Sequence, residues 1–227
     1  MADVFQFLSS ASLEKLTGRK AETLDELLNL INTCPDSSIF YHTFSAYMKM
    51  REIRLPYNND FSYWISNGLN EKALAEKIMA TDLSEYNTLR SLRLRLIDII
   101  EDYRNQKSEA FQKRADDPFH LFDIIRVVYL TDKFAYDLKS FREAISTISI
   151  YSIYFHFIEC QLEKDLQTND FSTWIESSLN LPDLAQMIKR IDLNAYTLEG
   201  LRTRILQLID GYLEEISKGL TSAGLDY

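Results

Sequence analysis

The same ordered set of residues occurs twice along this chain, and any fold proposed for it must house that set at two addresses. Ser38-Ile39-Phe40-Tyr41-His42 is matched by Ser152-Ile153-Tyr154-Phe155-His156, and Asn59-Asp60-Phe61-Ser62-Tyr63-Trp64-Ile65 by Asn169-Asp170-Phe171-Ser172-Thr173-Trp174-Ile175. Asp82-Leu83 with Tyr86 then meets Asp192-Leu193 with Tyr196. Last, Thr88-Leu89, Leu92-Arg93, Arg95, Ile100 and Tyr103 meet Thr197-Leu198, Leu201-Arg202, Arg204, Ile209 and Tyr212. Four anchors in one order at nearly constant separation exceed a chance self-match, and they describe a unit of about 110 residues written in tandem.

Each unit reads as a series of helices. Thr23 with Glu26 forms a capping box ahead of Leu24, Leu27, Leu28 and Ile31, and Asp137 opens the matching helix. Asn59-Asp60 and Asn169-Asp170 start short helices, the first ended by Gly68 at a C-cap position. Thr88 and Thr197 cap a long final helix. The segment Ile145 to Glu159 is rich enough in Ile, Ser and Tyr to suggest strand; the match to copy one, where Ile39, Thr43, Tyr47 and Met50 form a helical stripe, overrules that preference. With 46% apolar residues, six Gly and four Pro in 227 residues, the composition is too poor in turn-formers for an all-β protein. The expected fold is all-α, a tandem duplication of a multi-helix unit whose two copies pack with pseudo-two-fold symmetry. Its expected boundaries are a first repeat over 1–103, a charged helical connector over 104–118 stopped by Pro118, a second repeat over 119–216, and a frayed tail over 217–227.

A net charge of -9, from 34 acidic and 25 basic residues, disfavours nucleic acid as a partner. The longest apolar candidate, Ile145 to Ile158, is too short and too interrupted to span a membrane. Two cysteines at non-equivalent places, Cys34 and Cys160, exclude a duplicated disulfide or metal framework. Together with a first segment that lacks a leader's basic start and apolar core, they predict a soluble protein of the reducing cytoplasm.

Any duplicated site must come from what both copies keep. His42 and His156 are each followed one turn later by a small residue, and Asp60 with Trp64, like Asp170 with Trp174, are four apart and share a helix face. A carboxylate could orient each imidazole as a general base or metal ligand, with the indole as a pocket wall. One His and one Asp per unit are too few for a closed zinc site, and no metal or cofactor is predicted. Capping, helix dipole and core packing explain the same residues more economically, at on the order of 1 kcal/mol for a cap and its charge. Arg93/Arg95 and Arg202/Arg204 read as ion-pairing residues. Thr17-Gly18-Arg19-Lys20 reads as a helix stop with a basic pair, so that Arg19 and Lys20 are binding candidates in copy one only.

Leu16-Thr17-Gly18-Arg19-Lys20, Ser38-Ile39-Phe40-Tyr41-His42-Thr43 and Asn59-Asp60-Phe61-Ser62-Tyr63-Trp64, in that order, resemble the pattern of a bacterial family catalogued only as a domain of unknown function. The likeness extends over nearly the whole chain; copy two departs at Thr131-Asp132-Lys133-Phe134 and Phe155-His156-Phe157. The resemblance implies a prokaryotic soluble protein and assigns no reaction or ligand. The functional expectation is a non-catalytic scaffolding or interaction module, binding another protein or its own copy through part of its 13 Phe and 13 Tyr. The alternative is a small-molecule or metal-binding protein or enzyme built on the His/Asp/Trp sets.

Overall fold

The chain enters its fold as an extended strand. In the computed structural model, which describes residues 3–86, 88–160, 162, 168–192 and 195–223, β1 spans Phe5–Ala21 and β2 spans Phe119–Ala135, and together they form a two-stranded sheet. Thr17 bonds to Leu121 near one end and Thr131 to Phe7 near the other, so the strands run antiparallel. The all-α, purely helical-bundle expectation is therefore overturned: the protein is mixed α and β. Leu13-Glu14-Lys15-Leu16 has helical spacing, but the strand's inner edge is fixed by alternation at its start, where Phe5 and Phe7 point inward. The run Ile124-Ile125-Arg126-Val127-Val128-Tyr129 is β-branched and aromatic, and suits a pleated strand better than a helix.

Between and after the strands come helices α1 (Leu24–Thr33), α2 (Asp36–Phe40), α3 (Ala46–Glu52), α4 (Asp60–Gly68), α5 (Lys72–Met79) and α6 (Leu89–Gln106), then α7 (Leu138–Thr147), α8 (Ile150–Tyr154), α9 (Asp170–Ser177), α10 (Pro182–Lys189) and α11 (Leu198–Ala223). Single π-helical turns, Tyr41–Ser45 and Phe155–Glu159, follow α2 and α8. Helix α6 stops at Gln106, and a 3-10 turn, Ser108–Gln112, carries the chain towards β2. Helix α11 continues to Ala223; residues 224–227 of the expected tail, and Leu193 of the third sequence anchor, lie outside the described residues.

Starts are set where the side chains say they should be. Asn59 and Asn169 each accept the N–H three residues on at 2.8 Å, Thr88 and Thr197 do the same at 3.1 Å, and Asp137 with Ser140 forms a reciprocal capping box. The stop after α4 differs from expectation. The left-handed residue is Asn70 (φ 54), matched by Asn180 (φ 55) after α9, while Gly68 is the last helical residue. Its missing Cβ leaves room for the Trp64 indole, whose Nε1 would lie 3.1 Å from that atom.

The chain divides into two compact units that are not simple sequence halves. One comprises Ser12–Arg126, the other Met1–Ala11 with Val127–Tyr227, so each strand contributes to both. In the first, the apolar face of α1 packs on α6, and α4 packs on α5. In the second, α7 packs on α11 and α9 on α10.

Candidate functional site

Each histidine sits on its π turn, 2% exposed, with both ring nitrogens engaged. In the unit of Ser12–Arg126, His42 Nδ1 lies 2.8 Å from Asp60 Oδ2, and the backbone N–H of Phe122 donates to His42 Nε2 at 2.9 Å. In the other unit His156 Nδ1 lies 2.9 Å from Asp170 Oδ2, and the Leu8 N–H donates to His156 Nε2 at 2.7 Å. A backbone N–H can only donate, so Nε2 must carry the lone pair and Nδ1 the proton, which it gives to the carboxylate. The imidazole is thus a neutral bridge between a helix-start aspartate and an outward-facing amide of the strand. With Nε2 accepting and Nδ1 donating, both nitrogens already have hydrogen-bond partners in this geometry.

The aspartate and the histidine meet as their spacing suggested. The tryptophan does not join them: Trp64 Nε1–H donates to the Asp117 carbonyl at 2.8 Å, and Trp174 Nε1–H to the Asp3 carbonyl at 2.6 Å. A strand phenylalanine lies between indole and imidazole. Phe119 is 4.7 Å from the His42 ring and 5.8 Å from Trp64; Phe5 is 4.9 Å from His156 and 5.4 Å from Trp174. Phe119 and Phe5 are themselves buried, so each ring packs in the core between its indole and imidazole. Neither was singled out from the sequence, where both fall in repeats expected to be wholly helical and outside the four repeated anchors.

Arg19 and Lys20 lie in β1 and not after a helix. Gly18 there adopts φ 77, and Thr17 accepts the Arg19 N–H while donating to Leu121, a local bulge that re-aims the strand. Arg19 bonds the Thr33 hydroxyl and Lys20 pairs with Glu22 at 2.7 Å, both on the surface. Arg93 reaches the Ile31 carbonyl and Asp36, and Arg202 reaches the Ile145 carbonyl at 2.6 Å, so each caps the carbonyl end of α1 or α7.

One polar cluster had no sequence signal. Glu71, only 1% exposed, takes the Tyr103 hydroxyl and the ammonium groups of Lys107 (3.0 Å) and Lys113 (2.6 Å). Burial pushes its carboxyl up, but these three donors outweigh burial and hold it at about 2. The residue aligned with Glu71 in the second unit is Leu181, so no sequence repeat could flag it. Among the described residues no three His, Cys, Asp or Glu side chains converge in a way that could hold a metal ion, and no helix is long and apolar enough to cross a membrane.

A family model described as a family of unknown function, DUF5752, matches residues 2–210. No curated protein matches the chain. Among solved structures, that of OrfY from Thermoproteus tenax is similar at 25% sequence identity with a TM-score of 0.79, covering 92% of this chain and 94% of that one.

Proposed function

We propose that this chain, which belongs to the DUF5752 family, is a non-catalytic protein-interaction module built from two tandem copies of one helix-and-strand unit. The copies are supported by the paired geometry above: the same histidine bridge, the same indole bond and the same phenylalanine plug stand in both units. The observation that carries the interaction reading is the run Val127–Leu130 on β2, four consecutive apolar side chains that all face solvent. A non-catalytic role is supported by the engagement of both nitrogens of each histidine. A reducing, cytoplasmic setting belongs to the same proposal and is supported by two buried free thiols, Cys34 and Cys160.

The test is replacement of the histidines. His42→Gln and His156→Gln are expected to lower stability by about 1–3 kcal/mol each in denaturant unfolding, because a buried amide and a carboxylate lose their common partner. Elemental analysis and native mass spectrometry should find no metal or small molecule that depends on the histidines. A bound metal or ligand that disappears in folded variants would instead support a binding site built on His42, Asp60 and Trp64.

A further inference from the structure

We infer that, in the unit of Met1–Ala11 with Val127–Tyr227, the face carrying Tyr136, Leu181, Met187, Leu213 and Ile216 docks an uncharged segment of a partner protein that presents an aromatic side chain. This inference rests on the interaction reading above and gives it a second surface and the chemistry of its occupant.

The unit of Ser12–Arg126 shows what such a face receives. After α6 stops at Gln106, the turn Ser108–Gln112 folds back over α6 and α1 and buries Ala110 and Phe111. Charged groups hold it there. Lys107 and Lys113 pair with Glu71, Arg114 pairs with Glu22, and the Ala115 N–H donates to the Glu22 carbonyl at 2.8 Å. The Arg104 guanidinium lies 4.5 Å from the centre of the Phe111 ring, and Lys77 borders the same place over the Tyr103 ring at 5.5 Å.

The two units can be compared position by position here, because the elements align without a gap. Ala21-Glu22 at the end of β1 aligns with Ala135-Tyr136 at the end of β2, Glu71 to Ile78 with Leu181 to Ile188, and Tyr103 of α6 with Tyr212 of α11. Five charged residues that receive or border the turn are then exchanged: Glu22 for Tyr136, Glu71 for Leu181, Lys77 for Met187, Arg104 for Leu213 and Lys107 for Ile216. Helix α11 runs on to Ala223 where α6 gives way to the turn. Tyr136, Met187 and Ile216 are 61%, 40% and 42% exposed, and Leu181, Tyr212 and Leu213 are half-buried, whereas Tyr103 is buried. Apolar side chains exposed singly are ordinary. Five exchanges of charge for apolar surface around one place are not, because water favours the charged member of each pair; an apolar occupant accounts for all five.

The exchanges also select the occupant. The carboxylates that accept Lys107, Lys113 and Arg114 have no counterpart at Tyr136 and Leu181, so a cation on an incoming segment would lose hydration and meet no counter-charge. Leu213 stands where Arg104 covers Phe111, so a ring arriving there gains apolar contact in place of a cation.

Two synthetic peptides with blocked ends test this against the full chain: one copies residues 107–115, and in its neutral form Lys107, Glu109, Lys113 and Arg114 are each replaced by serine. In methyl-labelled protein followed by NMR, the neutral peptide should shift the Leu181, Leu213 and Ile216 signals and bind about tenfold or more tightly than the charged one. Replacing Phe111 of the neutral peptide by alanine should abolish the shifts. Tyr136→Glu with Leu181→Glu supplies the two carboxylates that the other unit carries at the aligned places; with unchanged circular dichroism, it should reverse the preference in favour of the charged peptide. A neutral peptide that leaves those signals in place, equal affinity for the two peptides, or a preference that the double variant does not alter overturns the inference. So does a wild-type chain that dimerises in sedimentation equilibrium and becomes monomeric with Leu213→Arg and Ile216→Lys, since the occupant is then a second copy. Each of these results leaves the interaction reading standing on Val127–Leu130; that reading fails separately if a histidine-dependent metal or ligand is found.

Discussion

Glu71 illustrates how much a single side chain can weigh when its partners are assembled from distant positions. Its folded carboxyl sits at about 2 against 4.5 for the free group, so it contributes stability at pH values above the unfolded pKa, and that contribution is lost as pH falls from about 4.5 through about 2. Glu71 itself is buried, but its partners Lys107 and Lys113 are 41% and 42% exposed, so solvent screens part of the contribution, which is on the order of 1–3 kcal/mol at neutral pH. Glu71→Gln is expected to flatten the acid limb of a stability-versus-pH curve measured by denaturant unfolding; an unchanged limb would mean the cluster is energetically silent. Nothing in the sequence marks this residue, since Tyr103, Lys107 and Lys113 become its neighbours only when α6 and the following turn return past the start of α5. The histidines were legible as candidates and their aspartates as partners. Their tautomer was not, because it is dictated by an amide of a strand far away in the chain.

The helix caps were the most readable elements, for the reason that a cap is a local bargain between a side chain and an amide three residues on. Asn59 and Asn169 are buried as well as capping, so Asn59→Ala or Asn169→Ala should cost about 1–2 kcal/mol, more than Thr88→Ala at an exposed cap, as measured by shifts in denaturant midpoint. The strands were the least readable. Each is inward-facing near one end and solvent-facing through its middle, so the alternation that identifies a half-buried strand fades after a few residues. The π turns had no signal at all. One extra residue in a helical turn changes which side chain meets the strand, and that choice is made by packing around His42 and His156.

At the scale of the molecule, the unit built from α7 to α11 is completed by the first residues of the chain. Phe5 and Phe7 are buried there, and Leu8 and Asp3 satisfy His156 and Trp174. Deleting residues 1–11 removes two core aromatics at about 3–5 kcal/mol each, a large part of any domain's stability. Hydrogen exchange of that variant is expected to lose protection across α7, α9 and α10 while α1 and α6, whose unit is Ser12–Arg126, keep theirs. Equal loss in both units would contradict the division. The sequence alone determined the repeated anchors, the helix starts and the short set of polar residues held at both addresses, because periodicity and capping act within a few residues. Only the tertiary structure decided that the segments before the helices are strands, that each strand serves both units, and that each histidine is engaged by a strand amide, His42 by Phe122 of β2 and His156 by Leu8 of β1. Those outcomes depend on pairings between residues 80 to 148 positions apart, and such contacts leave no local period for a sequence to display.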